Sequence, residues 1–202
     1  IRDPRLARPR AVSSVLLAVL VLTATLCAAS AAEAQQPFMP VTVDEESGRV
    51  LLELPELGQD VLYLNALATG LGSTRVFGLD AGSGGVEAVV RFERHGPRVM
   101  MIHRNVTMTA GNGNAGQVEG VERGFPVSVL ASFPIEDTSD GRLVIDATDF
   151  LLTDAIDVRG TVRSAGLGNI QLDEDRGFVD ASNTGAFPRN TEIRTVLTFT
   201  SD

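Results

Sequence analysis

The sequence predicts a mainly β fold: a β-rich α+β domain of antiparallel sheets, sandwich- or barrel-like, with one short helix near residues 149–156. Three observations predict it. Runs of β-branched and aliphatic residues recur between turn signals along most of the chain. Thr191 to Thr200 alternates polar and apolar residues over most of its length, the period of a strand with one buried face. His95-Gly96-Pro97 separates two strand-like runs and reads as a hairpin connector.

Taken in order, Val41 to Val43 is a short alternating strand. Arg49 to Leu54 follows the turn Glu46-Ser47-Gly48 and stops at Pro55. Asp60 to Leu67 is apolar on both faces, which predicts a central, buried strand. Gly70 to Gly85 holds six glycines and reads as a long loop with a short strand at Arg75 to Leu79. Val86 to Arg94 and Arg98 to Arg104 form the hairpin, with Val90 and Phe92 on one face and Arg91 and Glu93 on the other. Ala110 to Gly124, rich in glycine and asparagine, reads as a second mobile loop.

Val127 to Phe133 reads as a buried strand ending at Pro134. Asp137 to Gly141 is a turn, and Arg142 to Asp146 completes a second hairpin. Thr148 or Asp149 is positioned to cap the short helix Phe150 to Ile156. Asn169 to Leu172 and Gly177 to Asp180 read as strands flanking an acidic turn.

Residues 1–34 are set apart. Arg2, Arg5, Arg8 and Arg10 precede an apolar run from Ala11 to Ala29, and Ala32-Glu33-Ala34 places small residues where a signal peptidase reads them. That order is a secretory signal peptide cleaved after Ala34. A retained membrane anchor is the alternative. A spanning helix needs about 20 apolar residues, and Ser13, Ser14, Thr23 and Thr25 dilute this run. Lipidation at Cys27 is disfavoured, because Leu26 is bulky where a small residue is expected. The expected destination is the periplasm or the extracellular space. Residues 35–202 then form one β-rich domain. The chain opens on Ile1 rather than Met, the expectation being a sequence incomplete at its N-terminus, and it stops two residues after a strand, the expectation being truncation at its C-terminus.

Composition narrows the function classes. The only cysteine is Cys27, so residues 35–202 hold no disulfide, thiol nucleophile or cysteine-ligated metal. The chain carries 26 acidic and 17 basic residues, a net charge of −9, and all its basic residues are arginine. Nucleic-acid binding needs a basic footprint to release counterions, and this is the opposite. An anionic membrane surface is disfavoured on the same ground once the leader is removed.

No complete catalytic motif is present. His95 falls in a turn and His103 in a strand, and tetrahedral zinc needs at least three protein ligands. Asp173-Glu174-Asp175 with Gly177 and Asp180 hints at calcium. Glycine occupies the fifth place of that loop and Phe178 the sixth, so the ligand pattern fails. Asp146, Asp149, Asp154 and Asp157 cluster around the expected helix, where strand-end and capping acids commonly sit, although a carboxylate pair for hydrolysis is conceivable. No serine lies in a Gly-x-Ser-x-Gly elbow, and no Lys-Ser/Thr follows the glycine-rich stretch to make it a phosphate loop. The sequence therefore assigns no catalytic, cofactor-binding or metal-ligating residue, and no cofactor, to this chain.

Three stretches form an ordered set: Glu53 to Leu62, Val90 to Arg94, and Asp173 to Arg176 leading to Ala186-Phe187-Pro188-Arg189-Asn190-Thr191-Glu192, with Phe133-Pro134-Ile135 and Val144 to Asp149 between them. The set resembles the N-terminal region of a family of secreted bacterial zinc-dependent metalloproteases. In that family a domain of unknown function precedes a zincin-type catalytic domain. The resemblance covers nearly all of residues 38–202. It implies that the zinc ligands and the general-base glutamate lie in a His-Glu-x-x-His helix further along the polypeptide, beyond this sequence. The expected partners are that downstream catalytic domain and a protein or peptide substrate. The rival reading is a free-standing exported β-sandwich binding module that uses its glycine-rich loops for a ligand.

Overall fold

The computed structural model describes residues 36–72, 75–138 and 141–201. The expected cleavage site at Ala32 and Ala34, Cys27, and Ser139 and Asp140 of the turn lie outside the described residues. The fold is mainly β. Seven strands form one antiparallel sheet that curls into a half-barrel. They are β1 (Val41–Val43), β2 (Val50–Leu54), β3 (Asp60–Ala66), β4 (Gly84–His95), β5 (Arg98–His103), β6 (Ser128–Asp137) and β7 (Leu143–Asp146), in the order β1-β2-β7-β6-β5-β4-β3. β8 (Ile170–Val179) pairs with β11 (Thr195–Ser201), and β9 (Gly185–Ala186) with β10 (Thr191–Glu192). Three α-helices occur among the described residues: α1 (Ala115–Gly124), α2 (Thr148–Leu151) and α3 (Val158–Ser164).

Alternation builds the core. Val50, Leu52 and Leu54 of β2 are buried on one face, as are Ala88, Val90 and Phe92 of β4, and they meet Val99, Met101, Phe133 and Ile145. Fully burying a large aliphatic or aromatic side chain contributes about 1.5–3 kcal/mol. The expected division of β4 holds: Val90 and Phe92 are buried while Arg91 and Glu93 are not. The hairpin also holds, with a tighter turn. His95 pairs with Arg98, so the loop is only Gly96-Pro97. Gly96 has φ +62°, the conformation that the first position of this two-residue turn requires. A second, smaller core packs Val76 and Leu79 against Val158 and Val162 of α3.

Several expectations are overturned. β3 is not central; it is an edge strand, with Leu62 75% and Leu64 57% exposed. Apolar content on both faces imitated burial there. Arg75 to Leu79 forms turns, not a strand, although Val76 and Leu79 are buried. Residues 115–124 are helical, not loop. Asn114 and Gln117 form a reciprocal capping box that starts α1 despite the glycines around it.

Pro134 does not end β6, and only Phe133 in that strand is fully buried. Pro134 faces Arg98, the first residue of β5, so the strand runs on and exchanges partner from β5 to β7 at Ile135. The helix expected near 149–156 is the single turn α2, and neither Thr148 nor Asp149 caps it: Ala147 holds the cap position without a side-chain bond. α3 follows as a separate helix, N-capped by Asp157. Asp173, Glu174 and Asp175 lie inside β8 rather than in a turn, because Asp173 pairs across to Thr198 of β11.

Candidate functional site

A half-barrel leaves its concave face open. Here a cleft of about 990 Å³ reaches the core residues Val90, Phe92, Met101 and Phe133, and it is bounded by all of β3 and by residues 189–197. The second boundary is tied down. The Phe38 amide donates to the Phe187 carbonyl at 2.8 Å, and the Thr191 hydroxyl donates to the Met39 carbonyl at 2.6 Å. The Asp180 amide donates to the Arg194 carbonyl, and the Arg194 amide to the Thr184 hydroxyl. The first two bonds fasten the β9–β10 segment to the chain that leads into β1, and the last two tie Asp180 and Thr184 to Arg194 just before β11. A smaller, more open depression of about 390 Å³ lies between Phe77 and α3.

Aromatic rings run from the floor of the cleft to its lip. Phe92 lies 6.4 Å from Phe133, Phe133 meets Phe150 edge-on at 5.5 Å, and Phe150 lies 5.9 Å from Tyr63 on β3. Such tilted contacts add about 0.5–1.5 kcal/mol each beyond area burial. Burial pushes the Tyr63 phenol above its ordinary pKa, although the amide of Asn65 donates to its oxygen at 3.1 Å. The hydroxyl therefore stays neutral and polar at the edge of an apolar floor.

Four charged residues line the cleft: Asp60, Arg189, Glu192 and Arg194. Asp60 is committed, with Arg91 Nη2 at 2.6 Å and Arg104 Nε at 3.5 Å. That Arg104 nitrogen is buried without a hydrogen bond. Glu192 accepts the Asn190 side-chain amide at 2.7 Å. Among the described residues Arg189 and Arg194 make no ion pair. The cleft thus combines an apolar floor, a strand edge that no other described strand covers, and two guanidiniums outside any ion pair among the described residues.

The residues weighed from sequence do not converge on one another. His95 lies beside the β4–β5 turn, 3.6 Å from Glu93 and exposed, whereas His103 faces Val90 further along the hairpin. Asp146 accepts from the amide and the hydroxyl of Thr148 and from Arg49. Burial would raise its pKa, but these three donors outweigh burial and hold it below the usual carboxylate range. Asp154 and Asp157 bind the amides that open α3, and Asp149 sits in the first turn of α2. Asp173 is held by Arg176 at 2.7 Å, which lowers its pKa. Among the described residues no three His, Cys, Asp or Glu side chains gather where they could hold a metal ion. No helix among them is long and apolar enough to cross a membrane.

The cleft itself went unread in the sequence. Arg189 and Asn190 belong to a stretch already singled out for its order, but nothing local shows that they line one cleft with β3.

No curated protein matches this chain. No solved structure matches it either. A family model does: the one described as a domain of unknown function (DUF5117) matches residues 82–202, which is β4 through β11 together with the two residues before β4 and the one after β11. That match covers more than half of the sequence, and the chain belongs to the DUF5117 family.

Proposed function

We propose that this chain is the non-catalytic accessory region of an exported, zinc-dependent metalloprotease-like protein, and that it packs on a downstream zincin-type domain and shapes access to it. One observation carries the packing: α1 buries none of its residues in its own domain. A ten-residue helix is marginal in water by itself and is usually held by tertiary contact of an apolar face. The chain around it is also uncovered. Val118, Phe125, Val127 and Val129 are exposed, in a stretch where a soluble surface would carry polar groups. A second domain seated on α1 and the start of β6 would bury them. The identity of that domain rests on the ordered sequence set described above, and export rests on the leader.

The test uses the parent polypeptide. Amide hydrogen exchange over residues 115–129 is compared between this chain alone and the same chain joined to the polypeptide encoded after Asp202. Slower exchange in the longer protein supports packing; equal exchange refutes it. A downstream sequence without a His-Glu-x-x-His helix defeats the protease assignment while leaving the packing to be judged on exchange alone. A stop codon close after Asp202 would favour the free-standing binding module, which the cleft would equally serve.

A further inference from the structure

We propose that the cleft binds an extended peptide of alternating apolar and acidic residues, its backbone adding to the free edge of β3 and its carboxylates meeting Arg189 and Arg194. This site is separate from the α1 surface and does not rest on the packing proposed above. Among the described residues β3 ends the seven-stranded sheet and pairs only with β4. Its other edge therefore presents backbone N–H and C=O groups without a strand partner. Every residue of β3 lines the cleft, so that edge runs along it. A chain laid there in extended form would continue the ladder and turn every second side chain toward the apolar floor. Strand addition of this kind takes affinity from main-chain bonds and specificity from the alternate side chains.

Charge selects among peptides. Asp60 is neutralised by Arg91 and Arg104, which leaves one uncommitted carboxylate, Glu192, against the guanidiniums of Arg189 and Arg194. The cleft is thus locally basic on a protein whose net charge is −9. Acidic side chains find their counter-charge at this rim. A basic peptide would be drawn to the rest of the surface instead. A fatty acyl chain could fill the floor and reach an arginine, but it would leave the β3 edge unmet, which favours a peptide.

The 202-residue chain is titrated with a fluorescent seven-residue peptide, the length of β3, that alternates valine and glutamate. Parallel titrations use the lysine counterpart, dodecanoate, and two N-methylated versions of the peptide, each blocking one alternate set of amides. Expected are saturable binding of the glutamate peptide and roughly tenfold weaker binding of the lysine peptide and of at least one methylated version. Arg189→Glu and Arg194→Glu should each weaken the glutamate peptide by roughly tenfold while the urea midpoint is kept. The proposal is overturned if the glutamate peptide does not saturate, or if both methylated versions bind like the parent. It is also overturned if dodecanoate displaces the peptide while the arginine variants bind the peptide unchanged.

Discussion

The Asn65 side-chain oxygen lies 2.6 Å from the backbone nitrogen of Val86 and accepts its hydrogen bond. The β3–β4 register shifts here, between Leu64 and Ala66, so the bond comes from a side chain where the ladder is interrupted. The same side chain donates to the Tyr63 hydroxyl at 3.1 Å and to the Ala155 carbonyl at 3.4 Å. One residue therefore joins β4, the lip of the cleft and the connection into α3.

Asn65→Ala should cost about 1–3 kcal/mol, because it leaves the half-buried Val86 amide without an acceptor. Asn65→Asp keeps the acceptor and loses the donors, so it should cost less. Urea unfolding at an unchanged slope reports both values. Equal losses in the two variants would show that the acceptor role is not what holds this joint.

Gly85 sits against the same side chain. A Cβ there would lie 2.6 Å from Asn65 Oδ1 and from Ile156 Cγ2, and 3.0 Å from the Ile156 backbone. Gly85→Ala should therefore destabilise by about 1–3 kcal/mol through forced displacement. Gly120 is the control, since nothing lies within 4 Å of a Cβ added in the middle of α1. Gly120→Ala should stabilise by up to about 1 kcal/mol through helix propensity. Thermal unfolding of the pair gives opposite signs if both contact readings are right.

Much of the sheet was legible because side-chain alternation survives in the sequence. Val90 and Phe92 against Arg91 and Glu93 mark the two faces of β4 by alternation alone. The failures have physical causes. Leu62 and Leu64 made β3 look buried, yet edge position depends on which strands pair, and that is a long-range fact. Gly111, Gly113, Gly116 and Gly120 hid α1, although Asn114 and Gln117 already stood at capping-box spacing. Asp173 and Asp175 read as a turn until pairing with β11 overrode their weak strand propensity. The cleft was illegible for the plainest reason: its lining runs from Phe38 to Phe199, and no local window contains it.

The start of α3 rests on Asp154. Its side chain is 1% exposed and accepts from the amides of Val158 at 2.8 Å and Arg159 at 3.1 Å, while Arg159 Nε lies 3.1 Å away. Asp154→Ala removes a buried charged acceptor and should cost about 1.5–3 kcal/mol. Asp154→Asn retains one oxygen and should fall between it and the parent. Because α3 supplies Val158 and Val162 to the second core, helical signal should drop along with the unfolding midpoint. A variant with unchanged midpoint would show that α3 is held by packing alone.

Acid should destabilise the fold in a defined direction. The folded state holds Asp146 below its ordinary value of 3.8, so the unfolded chain takes up the proton first as pH falls. Stability from this group is present above about pH 4 and is lost as pH drops through the folded value. Asp44, Asp173 and Asp180 are lowered too and add in the same sense. Unfolding free energy should therefore decrease as pH falls below about pH 4, and less steeply in Asp146→Asn. Parallel profiles for parent and variant would remove Asp146 from the account.

The α1 surface separates a docking face from ordinary solvent exposure. Phe125 is 47% and Val129 58% exposed, so Phe125→Ser and Val129→Ser should each change the stability of this chain by less than about 0.5 kcal/mol. The outcome differs if a second domain covers them. Burying a side chain of that size contributes about 1.5–3 kcal/mol, and its loss would then appear only in the longer polypeptide, as a lower unfolding midpoint or faster proteolysis between the two parts. Equally small effects in both proteins would make residues 118–129 plain surface. A large loss in this chain alone would mean that α1 packs on its own sheet, against the absence of any buried residue on that helix.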